Sequence, residues 1–421
     1  MKIIRCATIG LSLNIFCKGV LQDLKSQGYE VVALSSPDDD LRELAEREQV
    51  RTIGVEMDRH ISPLKDLRSL RRLYRTFCSE KPDIIHSMTP KAGLLCMIAA
   101  WMARVPVRIH TFTGLVWPTS TGMKRQILMM TDRLTCACAT HVIPEGWGVM
   151  SDLIDGKITR KPMHVLGYGN IRGIDLSYWV RTNHKCKMEN VKCKIDSDEA
   201  PKDVTFTFLF VGRIVGDKGI NELISAFARL SAQVKELKSE KVKECRLVLV
   251  GWIEDQLDPV TPETKRMIEE MPEIEAVGAK YGDELKAYYE EADCFVFPSY
   301  REGFPNTVIE ASAMELASIV TDINGSREII GPSRSPSKGE DQMTRNMRLK
   351  PGEKMSIRDN GVVIPIKDEE ALYVAMRWIM EHENERLQMG RKAREMVAER
   401  YDQHFVRKQL YEFYNSLNLT N

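Results

Sequence analysis

The 421 residues carry equal numbers of basic and acidic side chains, 60 of each, and 43% hydrophobic residues. That is an ordinary globular composition, long enough for two domains. The neutral total hides an asymmetry: residues 1–180 hold 24 Lys+Arg against 18 Asp+Glu, and the remainder carries the compensating negative charge. So modest a positive bias fits an anionic small molecule or a membrane surface and speaks against nucleic-acid binding. The ten cysteines are scattered, with no Cys-x-x-Cys and no histidine cluster. No metal site is expected from them; they read as reduced core thiols.

In chain order, "MKIIRCATIGLSLNIF" begins with a buried strand and is not read as a signal peptide. "KGVLQDLKSQG" is a helix ended by glycine, and "YEVVALSS" a strand. After "RTIGVEM" comes the periodic helix "PLKDLRSLRRLYRTFCSEK". It places Leu64, Leu67, Leu70, Leu73, Tyr74 and Phe77 on one stripe, with Lys65, Arg68, Arg71, Arg72 and Arg75 beside it. Such a helix is either packed with a wet basic face or a cationic patch for anionic lipid. "PDIIHSM", "VRIHTFTG", "ATHVIPE" and "MHVLGYG" read as further strands, and "AGLLCMIAAWMARV" as a helix. No apolar run reaches the roughly 18 residues a membrane-spanning helix needs.

The alternation restarts at "TFTFLFVGR", continues through "INELISAFARL", "CRLVLVG", "ELKAYYEEA", "DCFVFPS", "NTVIEASAMEL" and "ASIVTD", and closes with "GVVIPIK" and terminal helical stretches. Two successive α/β units, each with a doubly wound parallel sheet, are therefore predicted. The expected division is an N-terminal domain over 1–170, a C-terminal domain over 171–395, and a last helical segment, 396–421. The polar stretches 181–203 and 332–359 read as surface insertions.

Two loops stand out chemically. In "FVGRIVGDKGINELI", Gly212 and Gly219 flank Arg213 and Lys218 where a strand gives way to a helix. That is the edge at which such sheets bind ligands, and cations with helix-start amides suit phosphate oxygens. The loop has no Gly-Lys-Ser/Thr signature, and a solvated loop is the competing explanation. In "FPSYREGFPNTVIEA", Glu302 follows a strand, Asn306 and Thr307 open a helix, and Glu310 lies about one turn inside it. Paired ionised carboxylates suit the hydroxyls of a polyol. Glu310 taken alone is equally a surface helix acid.

The series "VGRIVGDKG", "FPSYREGFPNTVIEA", "INGSREII" and "GVVIPIKDEEAL" resembles retaining glycosyltransferases of family 4, over nearly the whole chain. "FCKG", "PDIIHSMTPKAG" and "RIHTFTGLVWP" look like bacterial members acting in capsule, O-antigen and exopolysaccharide assembly. The resemblance implies the GT-B fold of two Rossmann-like domains, with the terminal helix crossing back to the first. It implies that Arg213 and Lys218 neutralise the diphosphate of a nucleotide-sugar donor, with Gly212 beside them. Glu302 matches the acid on the transferred sugar, with loop groups at Gly303, Phe304, Pro305, Asn306 and Thr307 around sugar and phosphate, and Glu310 the acid on the ribose. "GNIRGID" matches the interdomain hinge. No cofactor is required; the donor is expected to be a uridine diphosphate hexose or N-acetylhexosamine.

One departure concerns the first domain. Family members often place a histidine where this chain has Thr113, in "HTFTG", with His110 three residues earlier. Both remain candidate catalytic residues, and normal strand alternation points them to opposite faces. The first domain is expected to bind the acceptor, a lipid-linked saccharide, through Lys18, Gly19, Ser87, Thr89 and Lys91. His86 is either a core histidine or part of that site. The implied location is the cytoplasm or the cytoplasmic face of the inner membrane, with a peripheral contact to anionic lipid as a candidate. A nucleotide-sugar epimerase of the same fold and a non-catalytic sugar-nucleotide-binding scaffold are the competing functions. A nicotinamide dehydrogenase lacks its glycine fingerprint.

Overall fold

The structure is a computed structural model, and it describes residues 1–58, 62–182, 205–237, 244–255, 258–331 and 348–417. The chain forms two compact units, Met1–Gly173 together with Gln403–Asn421, and Ile174–Asp402. Nearly all of the polar stretch 181–203, and 332–347 of the second, lie outside the described residues.

The first unit runs β1 (Lys2–Cys6), α1 (Gly10–Phe16), α2 (Val20–Ser26), β2 (Glu30–Ser35), α3 (Asp39–Glu48), β3 (Arg51–Gly54) and α4 (Pro63–Glu80). It continues with β4 (Ile84–Met88), α5 (Pro90–Met102), β5 (Val107–Phe112), α6 (Gly122–Cys138), β6 (His141–Pro144) and α7 (Trp147–Asp155). The strands lie in the order β3-β2-β1-β4-β5-β6, all parallel. Crossovers through helices bury both faces, so neighbouring residues of one strand enter different cores. Ile4 packs with Leu73 and Phe77 of α4, Met97 of α5 and Met129 of α6. Ile3 packs on the opposite face with Leu13, Leu21 and Leu24.

The second unit contains β7 (Thr205–Val211), α8 (Ile220–Leu237), β8 (Glu244–Val250), α9 (Pro262–Glu270), β9 (Ile274–Gly278), α10 (Gly282–Glu291) and β10 (Cys294–Phe297). Then come α11 (Asn306–Ala313), β11 (Ala317–Thr321), α12 (Ser326–Ile329), β12 (Ser356–Arg358), β13 (Gly361–Ile364), α13 (Glu369–Glu381) and α14 (Glu383–Arg400). Its sheet order is β12-β13-β11-β10-β7-β8-β9, parallel except for β12. The final helix, α15 (Gln403–Ser416), belongs to the first unit, where Leu410 and Tyr414 join the core around Ile3. These are two Rossmann-like doubly wound sheets.

Three local expectations are corrected. "MHVLGYG" adds no strand and contributes one bridge, Met163 to Val142. The end of the polar stretch 332–359 is not merely a surface loop: Ser356–Arg358 pairs antiparallel with β13, and Arg358 Nη1 donates to the Ile330 carbonyl at 2.6 Å. An edge strand with one side in water tolerates this polar composition. On α4 the apolar stripe splits, since Leu73 and Phe77 are buried whereas Leu64, Leu67 and Tyr74 are exposed.

Candidate functional site

In the second sheet β7 is flanked by β8 on one side and β10 on the other, so chain order reverses between β7 and β10. Connections leave such a switch point in opposite directions and open a crevice at the carboxyl ends of the strands. The loops that start there are the two singled out by sequence, Gly212–Gly219 after β7 and Pro298–Pro305 after β10.

The first loop tightens into a single turn, Gly216–Lys218, before α8. Gly219 closes it with φ 70°, and a Cβ at that position would lie 2.1 Å from the Pro298 carbonyl oxygen. Only glycine allows so close an approach in a left-handed conformation. The two loops are further laced by the Tyr300 amide, which donates to the Asp217 carbonyl at 2.8 Å, and by an ion pair between Arg301 and Asp217 at 3.0 Å.

This lacing sets Lys218 against Glu302. The ammonium is ion-paired with Glu302 Oε1, which also accepts from Ser299 Oγ at 3.0 Å. The Lys218 Nζ stands 5.6 Å from the centre of the Phe297 ring. Both charged side chains are largely withdrawn from solvent, where an ion pair is electrostatically stronger than in water. Arg213 sits apart from that pair, with its Nη1 donating to Glu254 Oε2 at 2.7 Å. Ser299 and Glu254 were not singled out by sequence; a serine two residues beyond a buried strand carries no distinguishing signal.

Gly303 and Phe304 pass against the next loop so tightly that a Cβ on Gly325 would lie 2.5 Å from the Gly303 carbonyl oxygen. Pro305 precedes α11 with an extended backbone, and its carbonyl accepts from the amides of Val308 and Ile309. Asn306 and Thr307 therefore form the first turn, whose amides point toward the carboxyl edge. Glu310 is buried on α11 and accepts from the Tyr289 hydroxyl at 3.3 Å, so it is not a wet surface acid.

The first unit corrects several expectations. His110 lies inside β5, with its ring over Gly93 of α5: a Cβ there would come within 2.3 Å of Cε1. Its Nδ1 is 2.9 Å from Ser87 Oγ, and Phe112 meets it edge-on at 4.5 Å. His110 and Ser87 are thus interior residues engaged with each other, not groups offered to a ligand. Thr113 lies just past the strand end, half-buried. Thr89 adopts φ 69°, rare for a β-branched residue, and is held by hydroxyl and amide contacts to Thr8 at 2.8 and 3.1 Å. Lys91 is paired with Asp66 of α4 at 2.7 Å. Lys18 and Gly19 lie between α1 and α2, not directly after β1. There the Gly19 amide donates to Glu48 at 2.8 Å and the Lys18 carbonyl accepts from Arg407 at 2.7 Å.

His86 is a core histidine. Arg5 can only donate, so His86 Nδ1 accepts from Arg5 at 3.1 Å and from the Tyr414 hydroxyl at 2.6 Å, and Nε2–H donates to Thr111 Oγ1 at 2.7 Å. Burial, followed by the positive charge of Arg5, holds His86 well below the usual histidine range. Burial also lowers His110 to about 3. Both must charge when the protein unfolds in acid, so the unfolded chain binds more protons below the ordinary histidine range. The stability gained by keeping them neutral is complete above about pH 6.5 and is lost as pH falls toward 3, with a slope of about 1.4 kcal/mol per pH unit for each proton. Urea unfolding across this interval should show that slope, and His110→Gln should remove the share of one histidine. An unchanged slope in that variant would contradict the assignment.

Comparison with known proteins agrees with this architecture. Residues 15–169 match the model of the glycosyl transferase 4-like domain and residues 192–339 that of glycosyl transferases group 1. The chain is 26% identical over 416 residues to a capsular polysaccharide biosynthesis glycosyltransferase, CapM, of Staphylococcus aureus, covering 99% of this chain and 97% of that protein. It is 27% identical over 293 residues to the UDP-Gal:alpha-D-GlcNAc-diphosphoundecaprenol alpha-1,3-galactosyltransferase of Escherichia coli, covering 65% of this chain and 66% of the relative. Among solved structures, Anabaena HepE in complex with UDP superposes with a TM-score of 0.71 at 15% identity, over 99% of this chain and 100% of HepE. HepE has also been solved with UDP-glucose. With one matched domain in each α/β unit and a GT-B fold, the chain belongs to the glycosyltransferases that combine a family 4-like domain with a group 1 domain.

Proposed function

We propose that this glycosyltransferase moves a hexose or N-acetylhexosamine, with retention of configuration, from a uridine diphosphate donor to a lipid-linked saccharide during surface-polysaccharide assembly. It would work at the cytoplasmic face of the inner membrane. One observation carries this reading: Lys218 and Glu302 meet at the switch point of the second sheet, beside the first turn of α11 and with Glu310 one turn within it. The activities of the capsule and undecaprenol relatives support the acceptor class, and the UDP and UDP-glucose complexes of HepE support the donor class.

A nucleoside diphosphate is already a competent leaving group, so the site's task is to stabilise charge that builds on it. A diphosphate reaching Lys218 competes with Glu302 for the same ammonium. As Lys218 turns to the phosphate, the carboxylate of Glu302 is freed for the sugar hydroxyls, and Ser299 keeps it in place. Arg213, held by Glu254, supplies a second cation, and the α11 amides add fixed dipoles that need no reorganisation. Glu310, with Tyr289 beside it, takes the ribose hydroxyls. In the first unit, taken by itself, Thr113 is assigned to catalysis and Lys18, Gly19, Thr89 and Lys91 to the acceptor.

A panel of nucleotide sugars, assayed for transfer to extracted lipid-linked oligosaccharides, tests the reading directly. Transfer only from a uridine diphosphate sugar, with the α-linkage preserved in the product, supports it. Conversion of the donor to another nucleotide sugar without acceptor would replace it with the epimerase. Glu310→Ala is expected to weaken binding of free UDP by about ten- to a hundredfold, the loss of hydrogen bonds to a charged group. Unaltered UDP affinity in a folded Glu310→Ala protein would remove Glu310 from the nucleotide.

A further inference from the structure

The proposed transfer takes Lys218 away from Glu302 as the diphosphate arrives, so the turn carrying Glu302 must be held by groups that stay behind. Residues 299–302 lie between β10 and α11 and belong to no strand or helix. Their position therefore depends on side-chain contacts. Two of these are limited in what they can do. The Arg301–Asp217 pair leaves the Arg301 side chain 36% exposed, where an ion pair contributes little. Ser299 has one hydroxyl proton, and it goes to Glu302 itself.

Tyr300 is held differently. Its hydroxyl donates to Glu222 Oε1, in the first turn of α8, at 2.5 Å. A hydrogen bond to a carboxylate is roughly twice as strong as one between neutral groups. The other oxygen of Glu222 is buried and has no hydrogen-bond partner among the described residues, so the carboxylate depends on this hydroxyl. Burial, followed by the bond to Glu222, raises the Tyr300 hydroxyl well above the usual phenol range and keeps it a donor at neutral pH. Over the ring face, the ammonium of Lys367, between β13 and α13, stands 4.8 Å from the centroid. The backbone is tied as well, by the Tyr300 amide on the Asp217 carbonyl. One side chain thus joins the turn to α8 and to the loop after β13.

We infer that Tyr300, acting through Glu222, is a positioning residue for glycosyl transfer. It fixes the turn after β10 so that Glu302 stays aimed at the sugar once Lys218 has turned to the diphosphate. A shift of about 1 Å in such a group can cost about a hundredfold in rate, so a firm anchor two residues away governs turnover. The effect on rate rests on the glycosyl-transfer reading, whereas the clamp itself exists without donor.

Steady-state transfer from a uridine diphosphate sugar, paired with amide hydrogen exchange in the donor-free protein, tests it. Tyr300→Phe is expected to lower kcat about tenfold while donor KM and free-UDP affinity move less than about twofold, because orientation alone is lost. Glu222→Ala should match that loss, whereas Glu222→Gln keeps an acceptor oxygen and should retain most of kcat. The Tyr300→Phe/Glu222→Ala double variant should be no slower than either single variant. Exchange at the Tyr300 amide should quicken about tenfold in Tyr300→Phe and Glu222→Ala and keep the wild-type rate in Glu222→Gln. A lower unfolding temperature with kcat of the folded enzyme intact would overturn the assignment, as would additive losses in the double variant or unaltered exchange. A wild-type protein that transfers no sugar would instead remove the glycosyl-transfer reading, and exchange, which needs no donor, would still decide the clamp.

Discussion

Lys218→Ala is expected to reduce turnover by about 10²- to 10³-fold, the scale of removing one preorganised donor from developing negative charge. The expectation follows from placement: Lys218 is pinned by the left-handed Gly219, by the close approach of Pro298 and by its ion pair with Glu302. A conservative replacement separates charge from geometry. Lys218→Arg keeps the charge but not the compact ammonium, and it should recover only part of the loss. The loss should fall on kcat more than on KM, because the charge on the leaving diphosphate is greatest in the transition state. Near-normal kcat in a folded Lys218→Ala protein would refute the role given to this lysine, and with it the mechanism proposed for the second unit.

Tyr414→Phe is expected to destabilise the first unit by about 1.5–3 kcal/mol, the range for a lost hydrogen bond to a charged group. Arg5 is buried, and the terminal nitrogens of its guanidinium donate to Tyr414, His86 and Cys17 at 2.6, 3.1 and 3.6 Å. Removing the hydroxyl takes an acceptor from a buried cation and a donor from His86 at once. Because Tyr414 lies on α15, the loss should also free that helix, which hydrogen exchange at its amides would register. Adding Arg5→Met to Tyr414→Phe should cost less than the sum of the single changes, since each removes part of the same network. A urea midpoint equal to wild type in Tyr414→Phe, or strict additivity in the double variant, would show that the network does not hold α15 in place.

How much was legible before the structure depended on how local the cause was. The strands of both sheets announce themselves as short apolar runs, and the loops after β7 and β10 carry Lys218 and Glu302 in segments whose glycines and prolines mark a change of direction. Burial of Glu310 was not legible, because it depends on Tyr289 from a different helix. His110 misled for a related reason. A histidine near a strand end looks available, yet Gly93 on α5 leaves a space that its ring fills, and Ser87 from the neighbouring strand engages it. The leucines of α4 misled in the opposite sense, since their 3.6-residue spacing predicts burial whether or not anything covers that flank.

The amino-acid sequence by itself determined the alternation of strand and helix, the restart that makes two α/β units, and the identity of the cation and carboxylate loops. These are properties of neighbouring residues, set by period, turn chemistry and side-chain type. Only the tertiary structure decided that Lys218 meets Glu302, that Arg213 is held by Glu254, and that Arg5, His86 and Tyr414 share one buried network. Each of those contacts joins residues far apart in the chain. Their meeting is fixed by strand order and helix packing, which depend on the burial of the whole core and on no short segment alone.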